Sequence, residues 1–536
     1  MSMHPPRKAI FWLAALLAAG FILRCAVSMI DIVRLVQICL ADDAFNYFRI
    51  AKNIAAGYGA TADRIHATNG FHPLYMIILV PIFKIFGQDL ILPIRIALVT
   101  LSIFNTLTAV YIYKILRRLC NGEVGIFGAA FYLFNPATIF TCLTGVEAAI
   151  ATFFIAAATD ALLQIKSTES PSLKDTLRLG AFLGLALVAR TDSIIFCGCV
   201  FLDRIICTVR NSKKEWMRLF TLPALTVFIV APWLIWNMAR FHAIQQDSGK
   251  TIQFMSHRLL ENAYPASQYS SMFLNSIATT MSKAVIYLME FYLPIDADGP
   301  LFILFLVALM AAWVMSLQRN NALKQYLANL YPLFLTVAGI FVFYTIFFLF
   351  CQRWYFMSSY FIGSLIWGPA LWYIKELFAT LFTSAWLKRL ALTAIGSLLA
   401  LCFCRTAYLI SYIGFNPWQA LYIQAGQFIE ERLPDDVRVG AFNSGIVSYF
   451  TNKKVINLDG VVNSDIYQVL RDRQLVAYIR KNNIDFVLDH PLVFTIYENY
   501  SDAPFGGNFE LFKKFKSTWW GLGDVLIYKI KKGSPF

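Results

Sequence analysis

Apolar runs separated by short polar stretches fill most of the chain up to about residue 410. A helix needs about 20 mostly apolar residues to cross a bilayer. The runs at 9–30, 90–113, 123–141, 148–165, 177–190, 193–209, 219–238, 300–317, 328–350, 357–374 and 390–410 predict eleven spans. The fifth and sixth are short and meet at Arg190-Thr191-Asp192. The segment 31–89 breaks the pattern. From Asp43 to Ala56, apolar Phe45, Phe48, Ile50 and Ile54 alternate with Asn46, Arg49, Lys52 and Asn53, predicting an amphipathic helix that Gly57 and Gly59 end. His72 to Gly87 is apolar but short for a span, and is expected to be juxtamembrane or re-entrant. A second long interruption, 240–299, holds Asp247-Ser248-Gly249-Lys250 and a further amphipathic stretch.

Beyond about residue 415 charged residues return and the periodicity changes. Val437–Phe442, Lys454–Leu458, Phe486–Leu488 and Val525–Ile530 are strand-like, and Ile466–Lys481 is helix-like. The expected fold is an α-helical polytopic membrane protein with juxtamembrane helices, residues 1–415, followed by a soluble α/β domain, residues 416–536.

Composition agrees with a membrane chain. Of 536 residues 58% are hydrophobic and 15% charged, against about a quarter charged in soluble domains. The formal charge of +14 sits in short loops such as Lys114-Ile115-Leu116-Arg117-Arg118 and Lys213-Lys214. With a cytoplasmic N-terminus every inner loop is basic, as membrane orientation requires. Eleven spans then place the C-terminal domain and the loops 31–89 and 240–299 outside. Basic loops of this kind, without an aromatic-interleaved patch, speak against nucleic acid. The ten cysteines lie mostly in apolar runs without metal-ligand spacing. Ala9–Ala26 resembles a signal peptide, but its length predicts a retained first span.

Chemistry concentrates after that first span. Asp42-Asp43 is an acidic pair at a membrane interface, where charge is costly. Helix capping accounts for one Asp. A carboxylate held beside an acceptor hydroxyl accounts for the other, because it can take the proton as the oxygen attacks.

The surrounding loop reads Asp42-Asp43-Ala44-Phe45-Asn46-Tyr47, then Gly57-Tyr58-Gly59, then His66-Ala67-Thr68-Asn69-Gly70-Phe71-His72-Pro73. It resembles the first outer loop of GT-C glycosyltransferases, a class that includes lipid A aminoarabinose transferases, protein O-mannosyltransferases and mycobacterial arabinofuranosyltransferases. The resemblance covers roughly residues 1–150 and is topological beyond. It implies a hexosyl- or pentosyltransferase that uses a polyprenyl-phosphate-linked sugar donor in the bilayer, inverts configuration, and delivers to a glycan, lipid or protein acceptor. It implies an integral protein of a bacterial inner membrane. It maps the catalytic base to Asp42, with Asp43 and Glu147 as acidic partners, and His72 to the donor phosphate.

Residue chemistry adds Arg353, Lys250, Arg190 and Tyr355 as candidates for the phosphate, Arg for its planar fork. Arg353-Trp354-Tyr355 is equally an interfacial anchor, and Glu147 equally a helix-start acid. His66, Asn69 and Tyr47 are candidates for positioning substrate. His66 and His72 near the acidic pair leave a divalent metal open, since their spacing is not diagnostic. Two other classes stay in view: a secondary transporter, for which repeats and midplane charges are missing from the sequence, and a non-catalytic lipid- or glycan-binding protein.

Overall fold

The computed structural model describes residues 7–168, 171–211, 216–263, 268–292, 322–518 and 523–531. Its helices are α1 (Arg7–Ser28), α2 (Ile32–Ile38), α3 (Asp42–Ala55), α4 (Pro73–Phe86), α5 (Leu92–Leu119), α6 (Gly122–Phe134), α7 (Pro136–Cys142), α8 (Ala148–Lys166) and α9 (Leu173–Ala189). Then follow α10 (Ile194–Asn211), α11 (Trp216–Phe241), α12 (Asp247–Ala263), α13 (Tyr269–Tyr292), α14 (Ala322–Val342), α15 (Met357–Leu381), α16 (Ala385–Ile413) and α17 (Ala420–Arg432). Among the described residues six helices are long and apolar enough to cross a membrane, or seven with the bent pair α6–α7. The protein is an integral membrane protein. The shorter α9 and α10 meet at a turn spanning Thr191–Ser193, and the run expected at 300–317 lies outside the described residues.

The run at 123–141 is not one straight span. Pro136 lacks an N–H, so the helix breaks and bends by 55°. The break leaves the carbonyls of Tyr132 and Leu133 without helical partners. The Thr138 hydroxyl donates to the first at 2.6 Å, and buried Arg24, in the apolar run of α1, donates to the second at 2.8 Å. Arg24 also holds Asn105 at 2.7 Å, so its charge is spent on internal hydrogen bonds.

Helix α3 forms as its periodicity predicts and ends before Gly57, whose φ of 87° suits a residue without Cβ. Helix α4 runs over 14 residues, short for a span, with Pro73 in its first turn. The interruption at 240–299 contains α12 and the longer α13.

The C-terminal part carries a five-stranded mixed sheet of order β2-β1-β3-β5-β4, from β1 (Arg438–Ala441), β2 (Lys454–Asn457), β3 (Phe486–Asp489), β4 (Phe509–Phe515) and β5 (Val525–Ile530). Strands β1, β2 and β3 are parallel, and β5 is antiparallel to β3 and β4. Two details differ from expectation. Edge strand β4 escapes the sequence pattern because five of its seven residues are exposed, which erases the alternation. The helix expected over Ile466–Lys481 is two helices, Ile466–Arg471 and Leu475–Lys481, parted where Arg473 takes φ 54°.

This sheet domain docks on α3 through the short helix α18 (Gly445–Tyr449). Phe45 meets Tyr449 and Phe450 at ring separations of 5.5 and 5.8 Å. Two glycines allow the approach. A Cβ on Gly445 would lie 2.1 Å from the Asp42 carbonyl oxygen, and one on Gly70 would lie 2.0 Å from that of Val461.

Candidate active site

The two acids that open α3 face different surroundings. The Asp42 carboxylate is buried and accepts from the backbone N–H of Ile446 at 2.7 Å and of Gly445 at 3.1 Å. It caps not its own helix, whose N-cap is Ala41, but α18 of the other domain. Burial pushes its carboxyl up to about 7 against the pull of these bonds, with Asp43 adding like charge. The Asp43 carboxylate has no hydrogen-bond or ion-pair partner among the described residues. It lines two cavities, of about 250 and 320 Å³. Burial, and then the Glu147 charge, push it up to about 6.

The first cavity is organised around Arg190, at the turn between α9 and α10. Its guanidinium donates to Glu147 at 2.6 Å, to Asp192 at 2.9 Å and to the Tyr344 hydroxyl at 3.2 Å, and lies 4.7 Å from the Tyr355 ring centre. Glu147 makes no cap bond to α8. Its carboxylate is tied to Arg190 and lies 3.5 Å from His72 Nε2. On the other side of the ring, Thr191 and Gln246 approach His72 Nδ1 at 3.4 and 3.3 Å. Burial holds the His72 imidazole below its usual range, against the pull of the Glu147 charge. The Tyr47 hydroxyl accepts from the His72 backbone N–H at 3.1 Å. The first turns of α10 and α12 also line this cavity, adding the positive ends of two helix dipoles. A π-helical turn, Phe343–Phe347, brings Phe343 and Tyr344 to the lining, and Phe348 follows it there.

Of the candidates read from sequence, Asp43, Glu147, His72, Arg190, Tyr355 and Tyr47 share this cavity. Others lie elsewhere. Arg353 forms a two-pronged pair with Glu290 at 2.7 and 2.9 Å between the rings of Tyr287 and Phe415. Lys250 lies 3.8 Å over the Tyr467 ring, although its neighbours Ser248 and Gly249 line the cavity. Asn69 donates to Asn237 and accepts from the Asp247 N–H, both at 3.1 Å, tying the first outer loop to α11 and α12. His66 is held by Asp63 at 2.6 Å, an internal partner that keeps its pKa raised against burial. Among the described residues no three His, Cys, Asp or Glu side chains group to hold a metal.

Several residues of the site carry no signal in the sequence. Tyr344 sits in an unbroken apolar run. Asp192 reads as a turn residue, and Gln246 as loop. Asp459 follows β2 in a stretch explained by its glycine, yet it lines the second cavity and burial pushes it up to about 8. Only the meeting of the two domains shows it.

Comparison with known proteins agrees with this architecture. A family model described as dolichyl-phosphate-mannose-protein mannosyltransferase matches residues 71–236, and one described as a domain of unknown function matches residues 413–528. The apo oligosaccharyltransferase of Archaeoglobus fulgidus superposes with a TM-score of 0.58 at 12% identity, over 97% of this chain and 75% of its own. ArnT from Cupriavidus metallidurans, solved with undecaprenyl phosphate, gives 0.56 at 12% identity, over 94% of this chain and 97% of its own. The fold is of the GT-C class. The archaeal oligosaccharyltransferase AglB with an inhibitory peptide and a dolichol-phosphate gives 0.55 at 10% identity, over 93% of this chain and 72% of its own. No curated protein sequence matches the chain significantly. At these identities the shared GT-C property is the fold.

Proposed function

We propose that this protein is a membrane glycosyltransferase that moves a sugar from a polyprenyl-phosphate carrier to an acceptor hydroxyl, with Asp43 as general base. One observation carries the reading: Asp43, unlike Asp42, presents an unpartnered carboxylate at the junction of two cavities. A pKa of about 6 leaves it ionised near neutrality and close to the value at which a base works best. The family resemblance of the first outer loop maps this role to Asp42. The structure supports Asp43 instead, because the Asp42 oxygens are engaged by α18.

The donor phosphate lies in the first cavity and its prenyl tail against the apolar surface near Phe343 and Phe348. In the transfer, the Asp43 carboxylate takes the acceptor hydroxyl proton and the acceptor oxygen bonds the anomeric carbon. The bond from that carbon to the phosphate oxygen breaks, and its electron pair leaves with polyprenyl phosphate. A single displacement inverts the configuration. Arg190, held in place by Glu147 and Asp192, receives the charge that develops on the phosphate, helped by the N-terminal turns of α10 and α12. His72 donates from one ring nitrogen. The lipid carriers named in two structural neighbours are of the same donor class.

The orientation completes the proposal: N-terminus cytoplasmic, and α3 with the sheet domain on the extracytoplasmic face of a bacterial inner membrane. The test uses proteoliposomes and a radiolabelled polyprenyl-phosphate sugar. Asp43→Asn is expected to lose at least a thousandfold in transfer while still binding undecaprenyl phosphate, and Asp42→Asn to keep measurable transfer. Equal rates for Asp43→Asn and wild type would remove Asp43 from the mechanism.

A further inference from the structure

The parallel strands β1, β2 and β3 end at one edge of the sheet and deliver Asn443, Asp459 and Asp489 there. In parallel sheets ligands gather at this carboxyl edge. Here the edge faces the start of α3, and the space between them is the second cavity, of about 320 Å³, which meets the first at Asp43. Some of its polar groups are uncommitted. The side-chain amides of Gln352 and Asn416 have no hydrogen-bond partner among the described residues. Asn443 spends its amide N–H₂ on Asp489 at 2.9 Å and Tyr422 at 3.3 Å, which leaves its side-chain oxygen to accept. Trp418 and Tyr497 add aromatic faces.

The two cavities differ in their cations. The first is lined by Arg190 and His72 beside Asp43, Glu147 and Asp192, whereas the second is lined by Asp42, Asp43 and Asp459 and by no Lys, Arg or His among the described residues. The cation next in sequence, Arg353, is bound by Glu290. Free amides, carboxyl groups and aromatic faces around a cavity this size suit a sugar ring, through hydrogen bonds to hydroxyls and packing of its C–H face. An anion brought there would meet the Asp43 carboxylate and no counter-charge among the described residues.

We infer that the second cavity is the acceptor site, assembled by the C-terminal sheet domain, and that it takes an uncharged or amino-bearing carbohydrate and rejects anionic ones. The inference rests on the reading of Asp43 as the base. In an acceptor bound there, the reacting hydroxyl reaches Asp43, while Asp459 and the three amides hold the neighbouring hydroxyls. Protonated Asp459, favoured by its burial, serves as a donor.

The test presents the full chain in nanodiscs to an array of neutral, amino-bearing, uronate and phosphorylated glycans, with unglycosylated peptides alongside. Retention is expected on neutral or amino-bearing glycans only. Gln352→Ala is expected to weaken it at least tenfold, and Gln352→Lys to admit anionic glycans, with undecaprenyl phosphate binding unchanged in both. Retention of anionic glycans or of peptides by the wild type, retention of no glycan, or variants identical to wild type would overturn the inference. Failure of the donor reading is separate: the wild type would then fail to bind undecaprenyl phosphate whatever the array shows.

Discussion

Replacing Glu147 by glutamine tests the role of Asp43 through its titration rather than through lost activity. The Asp43 carboxyl rises from 3.8 to about 6, first from burial and second from the Glu147 charge. That rise corresponds to roughly 3 kcal/mol in favour of the protonated form, at about 1.4 kcal/mol per unit. As the smaller of the two causes, Glu147 accounts for about one unit at most. A general base works only when ionised, so kcat/KM of the wild type is expected to fall about tenfold per pH unit below about pH 6. In Glu147→Gln the midpoint of this acid limb moves down by roughly half a unit to one unit. It stops above 3.8, because burial is unchanged. Glu147 also seats Arg190 at 2.6 Å, so the height of the profile drops as well, but a drop in height does not move its midpoint. The assay is transfer from a radiolabelled polyprenyl-phosphate sugar in proteoliposomes between about pH 4.5 and about pH 8. A midpoint that stays in place or moves up would refute the assignment.

Three further outcomes follow from the same geometry. Asp42→Ala leaves the N–H groups of Gly445 and Ile446 without their acceptor, and is expected to destabilise the docked domain by about 1–3 kcal/mol in thermal unfolding while the acid limb stays near pH 6. Arg190→Ala strands Glu147 and Asp192 in a buried site, at a cost of about 3–5 kcal/mol, and undecaprenyl phosphate binding is expected to be lost, with Arg190→Lys recovering part of it by titration. Stability is expected to depend on pH through Asp42 and Asp459, raised from 3.8 to about 7 and about 8. The folded state then binds their protons more tightly than the unfolded one, so stability is fullest near pH 4, falls as pH rises through 7 to 8, and levels off above. Melting temperatures at about pH 5 and about pH 8 check the sign, and Asp459→Asn should flatten the difference.

The membrane class was legible in the sequence because it follows from the local lengths and periods of apolar runs. The same holds for α3, whose alternating positions and terminal glycines are both local, and for four of the five strands. The bend at Pro136 needed knowledge of who receives the freed carbonyls, and β4 needed its neighbour, since an edge strand exposed on both faces has no pattern of its own. The acidic pair stands out in the chain as unusual chemistry, and so does its neighbourhood of His72 and Tyr47. Which acid is left without a partner at the cavities was not legible, because adjacent residues on a helix point about 100° apart and sequence does not record what waits in each direction. Tertiary structure placed the N–H groups of Gly445 and Ile446 against Asp42 and two cavities against Asp43. It also spent Arg353 on Glu290 and brought Arg190 to Glu147 from 43 residues away. Local composition determined that this chain lives in a bilayer with acids at its surface. Long-range packing alone decided which charges are paired and which are left free to act, because the partner of a charge is set by distance in space and not along the chain.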